Sequence, residues 1–377
     1  MNYYLIAGET SGDLHGKNLM LHIQEEDAQA TFRFVGGDGM AKQSGKTPVL
    51  HTSKLAFMGF VEVIANLSTI RRNMRMVKAD LDQHKPDVLI LIDFPGFNLE
   101  IAKHAKKTGI PVYYYISPKI WAWNQKRVHK IKRLVDQMYC ILPFEVDFYR
   151  RFGMEVTYVG NPLMDALSQH VPDADFRNRH GLDERPIIAL LPGSRKMELA
   201  KLLPPMSGLH PYFPNHQLVI AAAPNFTEED YLKYLPDPAH YRFVVGATYD
   251  LLLNAEAAVV ASGTATLETA LLGTPQVVVY RANALTVMIA RQLIRVNYIS
   301  LVNLINDAPT VKELIQQDCT TETVAAEIKR LLEDPTYRQN QLEGIKKLQA
   351  RVGSAGASQR TAQHIVQGLS PGIDVIL

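Results

Sequence analysis

The sequence predicts an α/β protein made of two doubly wound, Rossmann-like domains in tandem, facing a central cleft. Three observations carry that prediction. Short apolar runs of strand length alternate with amphipathic stretches of helical length, the pattern of βαβ units around a parallel sheet. The alternation runs twice, interrupted by the polar, proline-flanked segment VPDADFRNRHGLDERP, which reads as a linker from Val171. A chain of 377 residues also exceeds what one hydrophobic core serves and suits two of ordinary size.

In the first series, strands are expected at YYLIA (3–7), FRFVG (32–36), DVLILI (87–92), PVYYYI (111–116), MYCIL (138–142) and VTYVG (156–160). In the second they are expected at IIALL (187–191), QLVIAAA (217–223), RFVVG (242–246), AAVVAS (257–262) and QVVVY (276–280). Helices fit between them. The tail from Thr310 reads as mostly helical, with Gly353 and Gly356 marking a break before a last helix able to cross back to the first domain. The expected divisions are 1–170, 171–345 and a helical tail, 346–377.

Composition excludes several classes. Lys and Arg number 40 against 38 Asp and Glu, so the formal net charge of +2 argues against neutralising nucleic-acid phosphates as a main task. Cys140 and Cys319 stand far apart, without a C-x-x-C pair or a Cys/His cluster, so neither disulfides nor a zinc site are expected. A reducing cytoplasm fits. The N-terminus lacks the features of a signal peptide, and no apolar stretch reaches the roughly 20 residues of a membrane span.

Ligands of open α/β sheets bind at the carboxyl ends of the strands. Just after the first strand stands GETSGD, in which Gly8, Gly12 and Gly16 permit a tight turn and close helix packing. It is neither a G-x-G-x-x-G fingerprint nor a Walker A loop, and Glu9 and Asp13 would repel an anion, so sugar hydroxyls suit it better than a pyrophosphate. In LIDFPGFN, Asp93 ends an apolar strand, where partial desolvation would make it a better proton acceptor; a helix-capping or turn aspartate is the alternative. LPGSRKMEL offers backbone amides at a helix start, the Ser194 hydroxyl and the forked Arg195 cation to a diphosphate, while Glu198 either tethers Arg195 or lies on a solvated face. In ASGTATLE, Gly263 allows close approach, Thr264 and Thr266 open a helix able to bind phosphate without a metal, and Glu268 could accept hydrogen bonds from ribose hydroxyls.

GETSGD, LAFMGFVEV, DFPGFN, SPKIWAWNQKR, LPGSR, ASGTATLE and YISLVNLI occur in the order found in the lipid-A-disaccharide synthase family, which the chain resembles from Ile6 to Leu314. The resemblance implies a GT-B-type fold with an N-terminal acceptor and membrane-facing domain and a C-terminal UDP-sugar domain. It implies an inverting reaction without metal or other cofactor, between UDP-2,3-diacylglucosamine and 2,3-diacylglucosamine 1-phosphate, giving a β-1,6-linked disaccharide and UDP. Asp93 matches the family's essential aspartate, the expected base for the acceptor 6-hydroxyl. Arg195, Glu268 and Asn303 match residues implicated in UDP binding or activity. Some members carry an acid where this chain has Gly96. On this reading Glu9, Ser11, Gly12 and Asp13 shape an acceptor sugar pocket, and His15, just inside the next helix, ranks below Asp93 as a base.

Acylated substrates imply a peripheral association with the inner membrane from the cytoplasm. LAFMGFVEVIANL places Phe57, Met58 and Phe60 before Arg71, Arg72, Arg75 and Lys78, and KIWAWNQKR places Trp121 and Trp123 before Lys126, Arg127, Lys130, Lys132 and Arg133. Apolar segments beside basic ones suit insertion among anionic lipids; a core helix with a solvated basic face is the plainer alternative. No RNP, KH or helix-turn-helix signature supports nucleic-acid binding. The helical tail is able to swap between protomers of a homodimer. Two other readings compete with the transferase: a UDP-sugar 2-epimerase of similar architecture, and a binding protein for a nucleotide sugar without catalysis.

Overall fold

The computed structural model describes residues 1–55, 66–283 and 296–369. Phe57, Met58 and Phe60 lie outside the described residues.

By contact the chain forms two units. The first joins Met1–Asp165 to the described residues from Ser354 onward, and the second runs Ala166–Gly353. The change of unit thus precedes the polar segment at Val171. The helix Pro335–Val352 lies in the second unit, so residues 346–352 do not travel with the returning tail.

The first unit holds a seven-stranded, all-parallel sheet: β1 (Asn2–Ala7), β2 (Thr31–Gly36), β3 (Leu50–His51), β4 (Val88–Ile92), β5 (Val112–Tyr115), β6 (Gln137–Cys140) and β7 (Thr157–Tyr158). Their order is β3-β2-β1-β4-β5-β6-β7, so the chain reverses its winding between β1 and β4. Every residue of β4 is fully buried, which explains its unbroken apolar sequence.

The second unit repeats the plan with β8 (Ile187–Leu191), β9 (Gln217–Ala222), β10 (Tyr241–Val245), β11 (Ala255–Ala261), β12 (Gln276–Tyr280) and β13 (Lys312–Ile315), in the order β10-β9-β8-β11-β12-β13. Here the winding reverses between β8 and β11. In each unit the crevice beyond the two strands flanking that reversal is where this architecture receives a ligand.

Three strand readings need correction. VTYVG keeps only Thr157–Tyr158 as β7. The edge strands β3 and β13 escape the sequence reading. KELI in β13 consists largely of good helix formers, and only its parallel pairing with β12, Val277 opposite Lys312, makes it a strand. A lysine on an edge strand also discourages further pairing.

The last helix, Ala357–Leu369, packs on the helix Thr10–Glu26, and its Ala362 and Ile365 enter the core around Ala7, Leu19 and Ile23. Its start is held by the Asp165 carboxylate, which accepts from the amides of Gly356, Ala357 and Ser358. A carboxylate there satisfies otherwise orphaned donors and complements the helix dipole. Arg360 reinforces the junction by donating from Nε to the Val159 carbonyl at 2.8 Å.

Candidate functional site

In the first unit, the turns after β1 and β4 meet at the point of reversal. A Cβ on Gly8 would stand 2.2 Å from the Phe94 ring, so only glycine lets the two turns approach this closely. Gly12 serves helix packing, since its Cβ position lies 3.3 Å from that of Ala7. Glu9 and Ser11 are exposed at the mouth of the turn.

Asp13 departs from expectation. It is only 8% exposed, and its carboxylate accepts from the amides of Gly37 (2.6 Å), Gly39 (2.9 Å) and Met40 (3.1 Å). It therefore fastens the start of the helix Asp38–Ser44 and is not a sugar ligand. The run GGDG at 36–39 was the available signal: side chains at Gly37 or Gly39 would strike the Asp13 carboxylate. His15 is half-buried, with its Nδ1 shielded from solvent and burial lowering its pKa to about 4.

Asp93 stands after β4 in a strained turn. Asp93 and Phe94 have φ of 44° and 48°, the left-handed region that non-glycine residues enter at a cost of about 1–3 kcal/mol each. Two buried side chains hold the turn by donating to the Asp93 carbonyl: Asn98 Nδ2 at 2.7 Å and the Tyr114 hydroxyl at 2.5 Å. The following helix, Pro95–Lys107, is N-capped by Phe94 without a side-chain bond, so the capping role considered for Asp93 falls away. Burial raises the pKa of Asp93 and the nearby Glu9 charge adds to this, while Lys119 and the Phe94 amide oppose it.

The two tryptophans separate. Trp121 is 6% exposed, donates Nε1 to Glu145 at 3.1 Å and meets Phe144 edge to face, so it belongs to the interior and is not a membrane contact. Trp123 is 45% exposed, with the Arg127 guanidinium 5.1 Å from its ring centroid. Arg71, Arg72 and Arg75 form an exposed face of the helix Leu67–His84, whose other side buries Val77 and Leu81.

Glu145 was not anticipated. Almost wholly buried, it accepts from Trp121 and from the amides of Ile141 and Leu142. Burial nevertheless raises its pKa to about 7. Between its ordinary value and 7 the folded state binds more protons than the unfolded one, so stability falls as pH rises through that window. Urea unfolding should show a loss of about 3 kcal/mol between pH 4.5 and 8, and Glu145→Gln should flatten that slope. An unchanged slope in the variant would remove Glu145 as its source.

In the second unit, the turns after β8 and β11 occupy the equivalent place. Ser194 and Arg195 precede the helix Lys196–Ser207 and are exposed. The Glu198 carboxylate accepts from the Ser194 amide (3.0 Å), the Arg195 amide (3.2 Å) and the Arg195 guanidinium (3.3 Å). After β11, Gly263 and Thr264 are exposed, and Gly263 caps the helix Thr264–Leu271 without any side-chain bond. Its first amides therefore keep the donor capacity expected of a phosphate-binding helix start. Glu268 accepts from the Tyr249 hydroxyl at 3.3 Å, and its pKa is raised by burial against that bond.

Two expected donor ligands prove internal. Thr266 is fully buried and returns its hydroxyl to the Gly263 carbonyl at 2.8 Å. Asn303, 1% exposed, donates to the Val311 carbonyl and to Glu313 and accepts from the Val311 amide, all at 2.9 Å. Both hydrogens of its amide nitrogen are used in joining the helix Leu301–Asn306 to β13 and the residue before it. Glu313, unremarked in the sequence, also receives the amides of Ile299 and Ser300. Among the described residues, no group of three or more His, Cys, Asp or Glu is placed to hold a metal ion, and no helix is long and apolar enough to cross a membrane.

Residues 3–366 match the family model described as lipid-A-disaccharide synthetase. The chain is 41% identical over 366 residues to the lipid-A-disaccharide synthase of Syntrophus aciditrophicus, covering 95% of each chain. With the synthase of Geobacter metallireducens it shares 38% over 372 residues, 97% of this chain and 96% of the relative. Among solved structures, the fold is similar to UDP-GlcNAc 2-epimerase from Neisseria meningitidis bound to UDP-GlcNAc, with a TM-score of 0.69, 13% identity and coverage of 97% and 100%. It is also similar to the glycotransferase of kitacinnamycin, with a TM-score of 0.65, 15% identity and coverage of 98% and 99%.

Proposed function

The chain belongs to the lipid-A-disaccharide synthetase family and is a glycosyltransferase of lipid A assembly, from which we propose that it joins UDP-2,3-diacylglucosamine to 2,3-diacylglucosamine 1-phosphate. The carrying observation is Asp93, a carboxylate of raised basicity held in a strained turn at the end of β4. It takes the proton from the acceptor 6-hydroxyl as that oxygen attacks the donor's anomeric carbon. The new C–O bond forms on the face opposite the breaking bond to UDP, inverting an α-linked donor into a β-1,6 product.

Charge accumulates on the leaving diphosphate. Arg195 and the amides at Gly263 and Thr264 receive it, which supports a step driven by fixed donors without a metal. Glu268, oriented by Tyr249, accepts from the ribose hydroxyls. Glu9 and Ser11 line the acceptor sugar. Trp123, with Arg127 and the basic residues after it, approaches the inner membrane surface from the cytoplasm, where ring and cations suit the headgroup layer.

The test is direct. Purified protein in detergent micelles, given both substrates, should release UDP and form the disaccharide 1-phosphate in equal amounts by mass spectrometry. Binding of UDP-sugar without disaccharide would overturn the transferase. Appearance of the donor's 2-epimer would instead favour the epimerase reading, which rests on shared fold.

A further inference from the structure

Two helix starts border the crevice at the end of the second sheet, and they differ in one respect. The helix Thr264–Leu271 begins at Gly263 with no side-chain cap, whereas the amides of Ser194 and Arg195, just before the helix Lys196–Ser207, are engaged by the chain's own Glu198. That carboxylate gathers two adjacent amides and a guanidinium, a donor set suited to one phosphate group. The loop is shaped around it: Gly193 has φ of 103°, and a Cβ there would stand 2.4 Å from Glu198 Oε2.

Resting on the donor site proposed above, we propose that Glu198 is an intramolecular competitor of the donor diphosphate. It occupies the Ser194 and Arg195 amides and tethers Arg195, and it yields these donors when a phosphate arrives. A carboxylate and a diphosphate cannot share them, because each amide offers one hydrogen and two adjacent anions repel. Glu198 therefore lowers the affinity for the diphosphate and, by returning to the amides, favours release of UDP after transfer. The Asn225 side chain, which donates to the Ser194 carbonyl at 3.1 Å, keeps the loop in place while the carboxylate moves.

A structural cap and a competitor predict opposite outcomes when the charge is removed. Calorimetric titration of wild type, Glu198→Gln and Glu198→Ala with UDP should show Kd falling roughly threefold to tenfold in both variants. Uridine, which lacks the diphosphate, should bind all three equally. Inhibition of turnover by UDP should tighten in parallel. Should alanine unfold the helix start, glutamine still offers an oxygen to the amides, and melting curves identify the folded variant. Unchanged or weaker UDP binding in a folded variant would make Glu198 a cap alone and overturn the competitor. Failure of the wild type to bind UDP would overturn the donor site itself, a result distinct from the first because it leaves no wild-type affinity to compare.

Discussion

Asp93→Asn is expected to lower kcat by about 10² to 10⁴, the usual contribution of a positioned general base. Asparagine preserves the shape of the side chain and tolerates the left-handed backbone of this turn, so the protein should fold and melt much as wild type does. UDP binding should persist, since the expected donor ligands belong to the other unit. The pH profile supplies the sharper readout. The base works only when ionised, so activity should rise with pH through a limb displaced above the ordinary carboxylate range, as burial and Glu9 dictate. That limb should vanish in the asparagine variant. Retention of kcat within about threefold of wild type would remove Asp93 as the base.

Arg195→Ala should lower kcat/KM by about 10² to 10³, the effect of removing one preorganised donor to a developing negative charge. Its side chain is 63% exposed and, among the described residues, its ion pair is with Glu198, so deletion should leave stability within about 0.5 kcal/mol of wild type. Arg195→Lys should recover part of the loss at most, since an ammonium supplies charge without the planar fork. Thr266→Ala and Asn303→Ala provide the contrast: both residues are buried and bonded within the protein, so any loss of activity should track a loss of stability. A folded Arg195→Ala enzyme with unaltered kcat/KM would exclude the guanidinium from the leaving-group site.

Much of the scaffold was legible in advance. Eleven of the thirteen described strands overlap apolar runs of the sequence, β7 over only two residues, and the central ones are the most apolar because they are covered on both faces. The two that were missed, β3 and β13, lie at sheet edges, where burial imposes no such pattern. Loop positions were legible for the same reason, since each glycine-rich turn follows directly on a buried strand.

The duties of single polar residues were less legible. Asp13 and Glu9 share one hexapeptide, yet one anchors three amides while the other reaches solvent. Trp121 and Trp123 stand two residues apart, and one donates to a buried carboxylate while the other lies exposed under an arginine. Asn303 has the composition of a ligand and the bonds of a tether.

The two series of βαβ units and the motifs that stand at the strand ends were already written in the amino-acid sequence. These follow from local periodicity, which the chain carries residue by residue. Tertiary contacts were needed to show that Asp93 sits in a strained turn held by Tyr114 and Asn98, that Glu198 accepts from the Ser194 and Arg195 amides, and that Asp13, Thr266 and Asn303 face inward. Those outcomes depend on which distant donor reaches a given oxygen first, and partners separated by many residues meet only once the sheet registers are set.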